Sequence, residues 1–511
     1  MAVNHGFGHQ SRSSPSVFVW ILAIFAGAAG TWLRFRGDRV GVWLDEAQTV
    51  AIAKLPPDQL IDALRADGHP PAFYFLLHVW MDLVGTSDAS LRLLPAVFGI
   101  LAIPVAFAVA RRLDGALAGV LSVAVVASSP FLIRFSTEIR MYSLVTLLSL
   151  LWWLAVQRAE EKPTPLRLGL VALSVALLVV THYWALFLFA AWLILAMLSS
   201  RAHRGTSKLV AAHAVGGLAF IPWLPTFRYQ MAHTGTPWAA AQDPASIVVT
   251  TLSDIAGGRE EGAALALLAL LFFFCFLGFA GKAVRSGMVE LDLAGRRETR
   301  SFTVLILLTL GLAIVAMTIT GSAFASRYVA VIAGFVLVLA GIGLAQLTPP
   351  SVQVVATAVV VALGLSGGWH AVEDTRSQGQ QVAAEIAGSY EDGDVIVACP
   401  DQVGPAPSRY LPASYRPVSY PLLVPAERVD WVDYEAKHAN ADPAAVAQTL
   451  VDTADGHRIW LIWQEGYRTL EGQCSALHQA IASSIGGVDV IGPDPDVFEP
   501  MWLSVFGGQG E

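Results

Sequence analysis

The chain has 511 residues, 55% apolar and only 14% charged, with a net charge of −8 and a mean hydropathy of +0.57. A soluble domain carries about 25% charged residues, so a disordered, a fibrous and an ordinary cytosolic protein are all excluded. The acidic balance, with no basic stripe, also excludes a nucleic-acid binder. The charge divides the chain: residues 371–511 hold 21 acidic and 7 basic side chains, net −14, while the first 370 hold 19 and 25, net +6.

Apolar stretches of about 17–20 residues are long enough to cross a hydrocarbon core as helices. Eleven are expected, near 16–33, 91–110, 116–133, 141–157, 166–181, 183–200, 208–225, 263–281, 302–320, 328–346 and 352–369. The first is read as a retained span rather than a cleaved leader, because residues with chemical potential follow it directly. Met1–Pro15 is expected to be a cytoplasmic stub, 16–370 the membrane domain and 371–511 an acidic domain beyond it.

Orientation follows from Lys and Arg in short loops. Arg111 and Arg112, then Arg158, Lys162 and Arg167, then Arg201, Arg204 and Lys208, then Lys282, Arg285, Arg296, Arg297 and Arg300 fall on one side. That side is expected to be cytoplasmic, with the N-terminus in and the acidic C-terminal domain out, at a cytoplasmic (inner) membrane. Pro71–Gly85 is apolar but only 15 residues long, and a span there would invert every later loop. It is expected to be an amphipathic helix lying in the outer interface.

The span centres are almost free of ionisable groups, which gather instead in the outer loops. That pattern suits a reaction at one membrane face better than an ion pathway through the bilayer. The first outer loop holds WLDEA, with Asp45 and Glu46; a carboxylate beside a lipid headgroup can act as general base toward a hydroxyl, and a favourably charged helix N-terminus is the plain alternative. It continues as DGHPPAFYF, where Asp67 and His69 precede two prolines that open a helix; His69 can bind phosphate or metal, or simply be solvated. RFSTEIRMYSL follows with Glu138, Arg140 and Tyr142. The pair can bond to each other, or Arg140 can hold an anion. THYWALF places His182 and Tyr183 at the same surface, where an aromatic belt explains the tyrosine equally well. SAFASRYVAV places Arg327 and Tyr328 there, the arginine either snorkelling or clamping phosphate.

Cys275 lies in a span, while Cys399 and Cys474 share the C-terminal region, where a disulfide and two free thiols are both open. That region alternates helix signals at 380–390, 442–453 and 470–485 with strand signals at DVIVAC, RIWLIW, VDVIG and MWLSVF, an α/β pattern. The expected fold is therefore mostly α: a polytopic membrane helix bundle with interfacial helices in its first outer loop and a C-terminal α/β domain. The DPD at Asp494–Asp496, flanked by prolines, reads as a turn.

Taken in order, WLDEA, HPPAFYFLLHVW, SLRLLPAVFG, STEIRMYS, THYWALF and SRYVAV resemble the GT-C superfamily of polytopic glycosyltransferases, in the branch with bacterial protein O-mannosyltransferases and the lipid A aminoarabinose transferase. The resemblance covers roughly residues 16–346. It implies inverting transfer of a sugar from a polyprenyl-phosphate donor, mannose or arabinose among the candidates, to a hydroxyl of a glycan, glycolipid or protein in the cell envelope. Asp45 matches the family's proposed base, with Glu46 beside it, and Glu138 the acid of the second outer loop. Arg327 matches the arginine before the late span and His69 the basic residue before the proline pair. Both, with Arg140, Tyr142, His182, Tyr183 and Tyr328, are candidates for holding lipid phosphate and sugar. A divalent cation on Asp67, His69 and Glu138 is left open and no other cofactor is implied; Gly68 stands where the family often has an acid. The remaining partners are membrane lipids, and no nucleic acid. A transporter or flippase of a lipid-linked glycan and a non-catalytic envelope scaffold are the alternatives; the absence of an internal repeat or interrupted span pair counts against the transporter.

Overall fold

The computed structural model describes residues 15–37, 41–198, 206–235, 243–258, 262–285, 287–322 and 324–508. The expected stub, but for its last residue, and Arg201 and Arg204 lie outside the described residues. Helix α1 (Val17–Arg34) opens on Ser16, whose hydroxyl accepts the Val19 N–H. Three short helices fill the first long loop: α2 (Leu44–Ala53), α3 (Pro57–Asp67) and α4 (Ala72–Val84). The bundle continues with α5 (Asp88–Asp114), α6 (Ala116–Ser128), α7 (Pro130–Ser136), α8 (Tyr142–Glu161), α9 (Pro165–Val179), α10 (Ala185–Leu198), α11 (Thr206–Gly217) and α12 (Leu224–His233). Then come α13 (Pro244–Ile255), α14 (Gly262–Ala280), α15 (Arg300–Thr320), α16 (Ala330–Leu344) and α17 (Pro350–Glu373). A helix stands at every expected span. Among the described residues seven are long and apolar enough to cross a membrane, or eight with the bent α6–α7 pair. The other three expected spans fall on α8, which ends in a charged turn, and on α9 and α10, of 15 and 14 residues.

The α6–α7 pair bends by 57°, at Pro130, which has no N–H to continue the ladder. The bend frees carbonyls near the end of α6, and Arg34 of α1 answers them. Its guanidinium donates to Ala127 O at 2.9 Å, Val126 O at 3.3 Å and Gly30 O at 2.8 Å. Gly30 permits that approach, since a Cβ there would stand 2.0 Å from Ala127 O.

The two ends of the bundle differ in charge. At one end Asp114 holds Arg296 (2.5 Å) and Gln346 (2.6 Å), and Glu161 pairs with Arg112 and Arg167. A two-stranded hairpin, β1 (Gly281–Arg285) with β2 (Met288–Leu291), which the sequence did not announce, carries Lys282 and Arg285 to the same end, where Ala283 N–H donates to Gln346. At the other end of α5, Asp88 meets Arg409 (2.9 Å) and Tyr410 (2.8 Å) of the C-terminal region. Helix α4 starts and finishes at this second end: Ala72 N–H donates to Val180 O, and Trp80 Nε1 to Ser90 O. Its 13 residues span about 20 Å, short of a hydrocarbon core of about 30 Å.

The C-terminal region folds as a six-stranded sheet in the order β5-β4-β3-β6-β8-β7, from β3 (Val395–Cys399), β4 (Val418–Ser419), β5 (Val424–Pro425), β6 (Ile459–Trp463), β7 (Gly487–Ile491) and β8 (Trp502–Phe506). Strand β3 pairs in parallel with β4 and β6, while β8 runs antiparallel to β6 and β7. Alternation sends Ile396, Trp460 and Ile462 to the face covered by helix Gly379–Ser389. Val397, Ile459 and Leu461 go to the face covered by helices Pro443–Ala454 and Gln473–Ile485. The four longer strands and three helices stand where the sequence pattern put them; two-residue β4 and β5 are too short to show a period. Cys399 and Cys474 form a disulfide across 5.5 Å of Cα separation, joining β3 to helix Gln473–Ile485.

Candidate active site

Successive residues on a helix point about 100° apart, so α2 sends its two carboxylates to different places. Asp45 keeps its side chain 19% exposed, with Oδ2 3.1 Å from Arg327 Nη2. Glu46 is buried and turned inward. Its carboxylate accepts Arg92 Nε at 3.1 Å, Arg92 Nη2 at 2.8 Å and the Ile139 N–H at 2.9 Å, with Arg376 Nη1 at 3.6 Å. Arg92 also donates to the carbonyls of Gly37 and Gly41, so it organises the whole entry to α2. Glu46 is thus saturated by protein donors, which leaves Asp45 as the member of the pair able to face a substrate.

A second cluster braces α2 from behind. His69 Nδ1 lies 2.7 Å from Asp67 Oδ2, and His69 Nε2 lies 2.7 Å from Arg140 Nη2. Because arginine only donates, Nε2 is the acceptor and Nδ1–H the donor toward Asp67. Tyr74 OH (2.9 Å) and Gln48 Nε2 (3.1 Å) also donate to Asp67. Burial opposes its ionisation, but His69, Arg140 and Gln48 outweigh it and hold the carboxyl at about 2. Arg140 Nη1 donates in turn to Thr49 Oγ1 (2.7 Å), Tyr74 OH (3.3 Å) and Asp45 O (3.4 Å). Both His69 nitrogens and most of Arg140 are therefore committed to protein partners rather than open to an anion. His182 accepts the Trp184 N–H on Nδ1 and packs against the rings of Tyr142 and Tyr328. Burial, with His69, Arg140 and Arg327 nearby, pushes its pKa down to about 3. Tyr183 stands apart from this group. Its hydroxyl donates to Gln230 and accepts from Trp223, within the packing of α9 to α12.

Glu138 sits in the turn between α7 and α8, fully buried, and neither carboxyl oxygen has a hydrogen-bond partner. Burial raises its pKa against the pull of Arg376, Arg134 and Arg327. It lines a cavity of about 270 Å³ together with Trp43, Arg134, Phe135, Arg327 and Phe498. Trp43 Nε1, Arg134 Nε and Arg327 Nε are likewise buried without a partner. The cavity thus presents unsatisfied donors and acceptors side by side, the lining a polyhydroxylated, partly anionic ligand would satisfy. Tyr142 is buried next to it, its hydroxyl also unpartnered.

Among the described residues no three His, Cys, Asp or Glu side chains gather as metal ligands. Asp67 and His69 are spent on each other and on Arg140, and Glu138 does not join them, so the set proposed from sequence does not fit a cation. Sequence reasoning also missed residues that matter here. Arg92 lies in the SLRLLPAVFG motif and Arg134 one turn before Glu138, and local sequence gives neither a partner. Trp43 opens the WLDEA motif without standing among the candidates there, and Arg376, Phe498 and Glu499 carried no signal, since they arrive from the C-terminal region.

A family model described as dolichyl-phosphate-mannose-protein mannosyltransferase matches residues 68–229. That segment holds His69, Arg92, Arg134, Glu138, Arg140 and His182. No curated protein matches the chain. Among solved structures it is similar to apo ArnT from Cupriavidus metallidurans, with TM-score 0.64, 12% identity, and 94% of this chain and 97% of that one covered. The same protein bound to undecaprenyl phosphate gives TM-score 0.62 at 12% identity, covering 96% and 98%. Arabinofuranosyltransferase AftD from Mycobacteria gives TM-score 0.54 at 15% identity, covering 98% of this chain and 40% of that one. The chain thus shares the fold of ArnT and AftD, a helix bundle with several helices long and apolar enough to cross a membrane, and a segment matching the mannosyltransferase family model lies inside it.

Proposed function

We propose that the protein transfers a sugar from a polyprenyl-phosphate donor to an acceptor hydroxyl, with inversion, at the outer face of the cytoplasmic membrane. One observation carries the reading: Asp45 is a partly exposed carboxylate beside Arg327, and Arg327 lines a cavity whose buried polar atoms lack partners. Asp45 takes the proton as the acceptor oxygen attacks the anomeric carbon, and the bond to phosphate breaks on the opposite face of the sugar. Arg327 and Arg134 stabilise the charge that develops on the departing phosphate. Glu138 accepts hydroxyl protons of the sugar as hydrogen bonds, which its two free oxygens favour.

Three further observations support the reading. ArnT, a structural neighbour, has been captured with undecaprenyl phosphate, and the matching family model is named for a dolichyl-phosphate-mannose enzyme. The cationic loops cluster at the end of the bundle opposite Asp45, as the positive-inside rule requires for an outward site. Mannose and arabinose both remain within the proposed donor class.

Purified protein in lipid nanodiscs, given labelled polyprenyl-phosphate sugars and cell-envelope extract, should form labelled product from one donor. Asp45→Asn should reduce that rate at least about a hundredfold, the general-base range, with the melting temperature unchanged. Equal product from both proteins would remove Asp45 from the base role. A folded wild-type protein that accepts none of the donors would favour the transporter or scaffold alternatives instead.

A further inference from the structure

The turn at 494–499 of the C-terminal region ends against the first turn of α2. Glu499 is 4% exposed. Its N–H donates to Arg376 O at 2.9 Å, and its Oε1 accepts the Leu44 N–H at 3.3 Å; Oε2 is buried without a partner. Leu44 immediately precedes Asp45, and its N–H is one of those a helix cannot satisfy internally. Trp43, at the cap position, has no side-chain acceptor to offer. The task usually done by a serine or aspartate at the cap falls here to a glutamate 455 positions away. The preceding residue, Phe498, packs edge-on to Trp43 at 5.3 Å and lines the cavity.

We propose that Glu499 is a positioning residue for Asp45: the C-terminal region supplies the cap that α2 lacks, and so aims the Asp45 carboxylate. This rests on the reading of Asp45 as the base. The groups facing Glu499 explain why the cap is neutral. Asp45 and Glu46 face it from α2, Tyr467 from the turn after β6, and the Ser377 hydroxyl from the stretch after α17. The Arg376 guanidinium is turned away, onto Glu46 and Thr137. Burial, reinforced by Asp45 and Glu46 and opposed by the Ser377 and Leu44 hydrogen bonds, pushes the Glu499 carboxyl up to about 8. Ionisation there places a third negative charge beside two carboxylates in a dry site. As pH rises through about 8, the 494–499 turn is therefore driven off α2 and Asp45 loses its support.

The full chain is compared as wild type, Glu499→Gln and Glu499→Ala in nanodiscs, by amide hydrogen exchange over residues 42–48 and by transfer kinetics from pH 6 to 9.5. Glu499→Ala should speed exchange over 42–48 by about tenfold. It should lower kcat by about tenfold to a hundredfold at unchanged donor KM. Glu499→Gln keeps a neutral acceptor, so it should restore both at pH 7 and lack the wild-type decline above pH 8. Unchanged exchange in Glu499→Ala overturns the proposal, as does an alkaline limb shared by wild type and Glu499→Gln. Where Glu499→Ala fails to fold, the Gln pH profile still decides. Wild type inactive with every donor, but with 42–48 loosened in Glu499→Ala alone, supports the cap while overturning the transferase reading.

Discussion

At the scale of single residues, Asp45 and Glu46 show how adjacent identical chemistry is divided by its partners. Glu46 is a buried anion held by two guanidiniums and a backbone N–H, whereas Asp45 keeps one cation and a share of solvent. Removing one partner of a buried pair leaves an uncompensated charge, at about 3–5 kcal/mol. Arg92→Leu should therefore lower the thermal stability of the detergent-solubilised protein by that order. Asp45→Asn, which touches a partly exposed pair, should shift it by less than about 1 kcal/mol. A variant Arg92→Leu that melts with wild type would contradict the structural role of Glu46. The sequence showed the DE pair and the arginine of SLRLLPAVFG but not their pairing, because Glu46 and Arg92 are 46 positions apart and on different helices.

At the scale of elements, a proline kink and the arginine that answers it form one unit. The α6–α7 bend would leave carbonyls open inside an apolar bundle, where unsatisfied backbone groups are costly. Arg34 makes this kink tolerable from α1. Arg34→Met preserves length and apolar packing but removes the donors. It should cost about 1.5–3 kcal/mol, the range for hydrogen bonds to a charged group, measured as a drop in melting temperature, with Arg34→Lys intermediate. An unchanged melting temperature in Arg34→Met would show that the freed carbonyls find other partners. Spans of this kind are legible in sequence because the bilayer dictates their length. The kink partner is not, since Arg34 lies 92 and 93 positions from the α6 carbonyls it answers.

At the scale of the whole molecule, the C-terminal region is built into the bundle rather than appended to it. Gln48 and Val429 exchange two hydrogen bonds of 2.9 Å, Tyr410 OH accepts the Val42 N–H, and Arg376 donates to Thr137. Two buried carboxyls near this junction are held above the usual carboxylate range: Glu499, up at about 8, and Asp401, which burial raises to about 7 against the Tyr434 hydrogen bond. Both ionise near their ordinary values of 4.5 and 3.8 once unfolded. Between about pH 4 and 8 the folded chain thus binds more protons than the unfolded one, so these groups stabilise most at low pH and lose that contribution as pH rises. Melting of the purified protein at pH 5.5, 6.5 and 7.5 should show stability declining across the series from this source. Asp401→Asn should flatten the decline, and an unaltered slope in that variant would exclude Asp401 as a contributor.

The sequence by itself determined the membrane bundle, an α4 too short to span it, the α/β character of the C-terminal region and the loops that hold the ionisable residues. Those features are written in local period and composition, which hydrocarbon and water read one segment at a time. Only the tertiary structure decided which ionisable groups meet. It turned Glu46 inward to Arg92, committed His69 to Asp67 and Arg140, set Tyr183 apart, and left Glu138 unpartnered in a cavity. It also brought Phe498 and Glu499 across the chain to α2. The physical reason is range: burial and pairing depend on neighbours in space, and for most of these groups tens to hundreds of residues separate those neighbours along the chain.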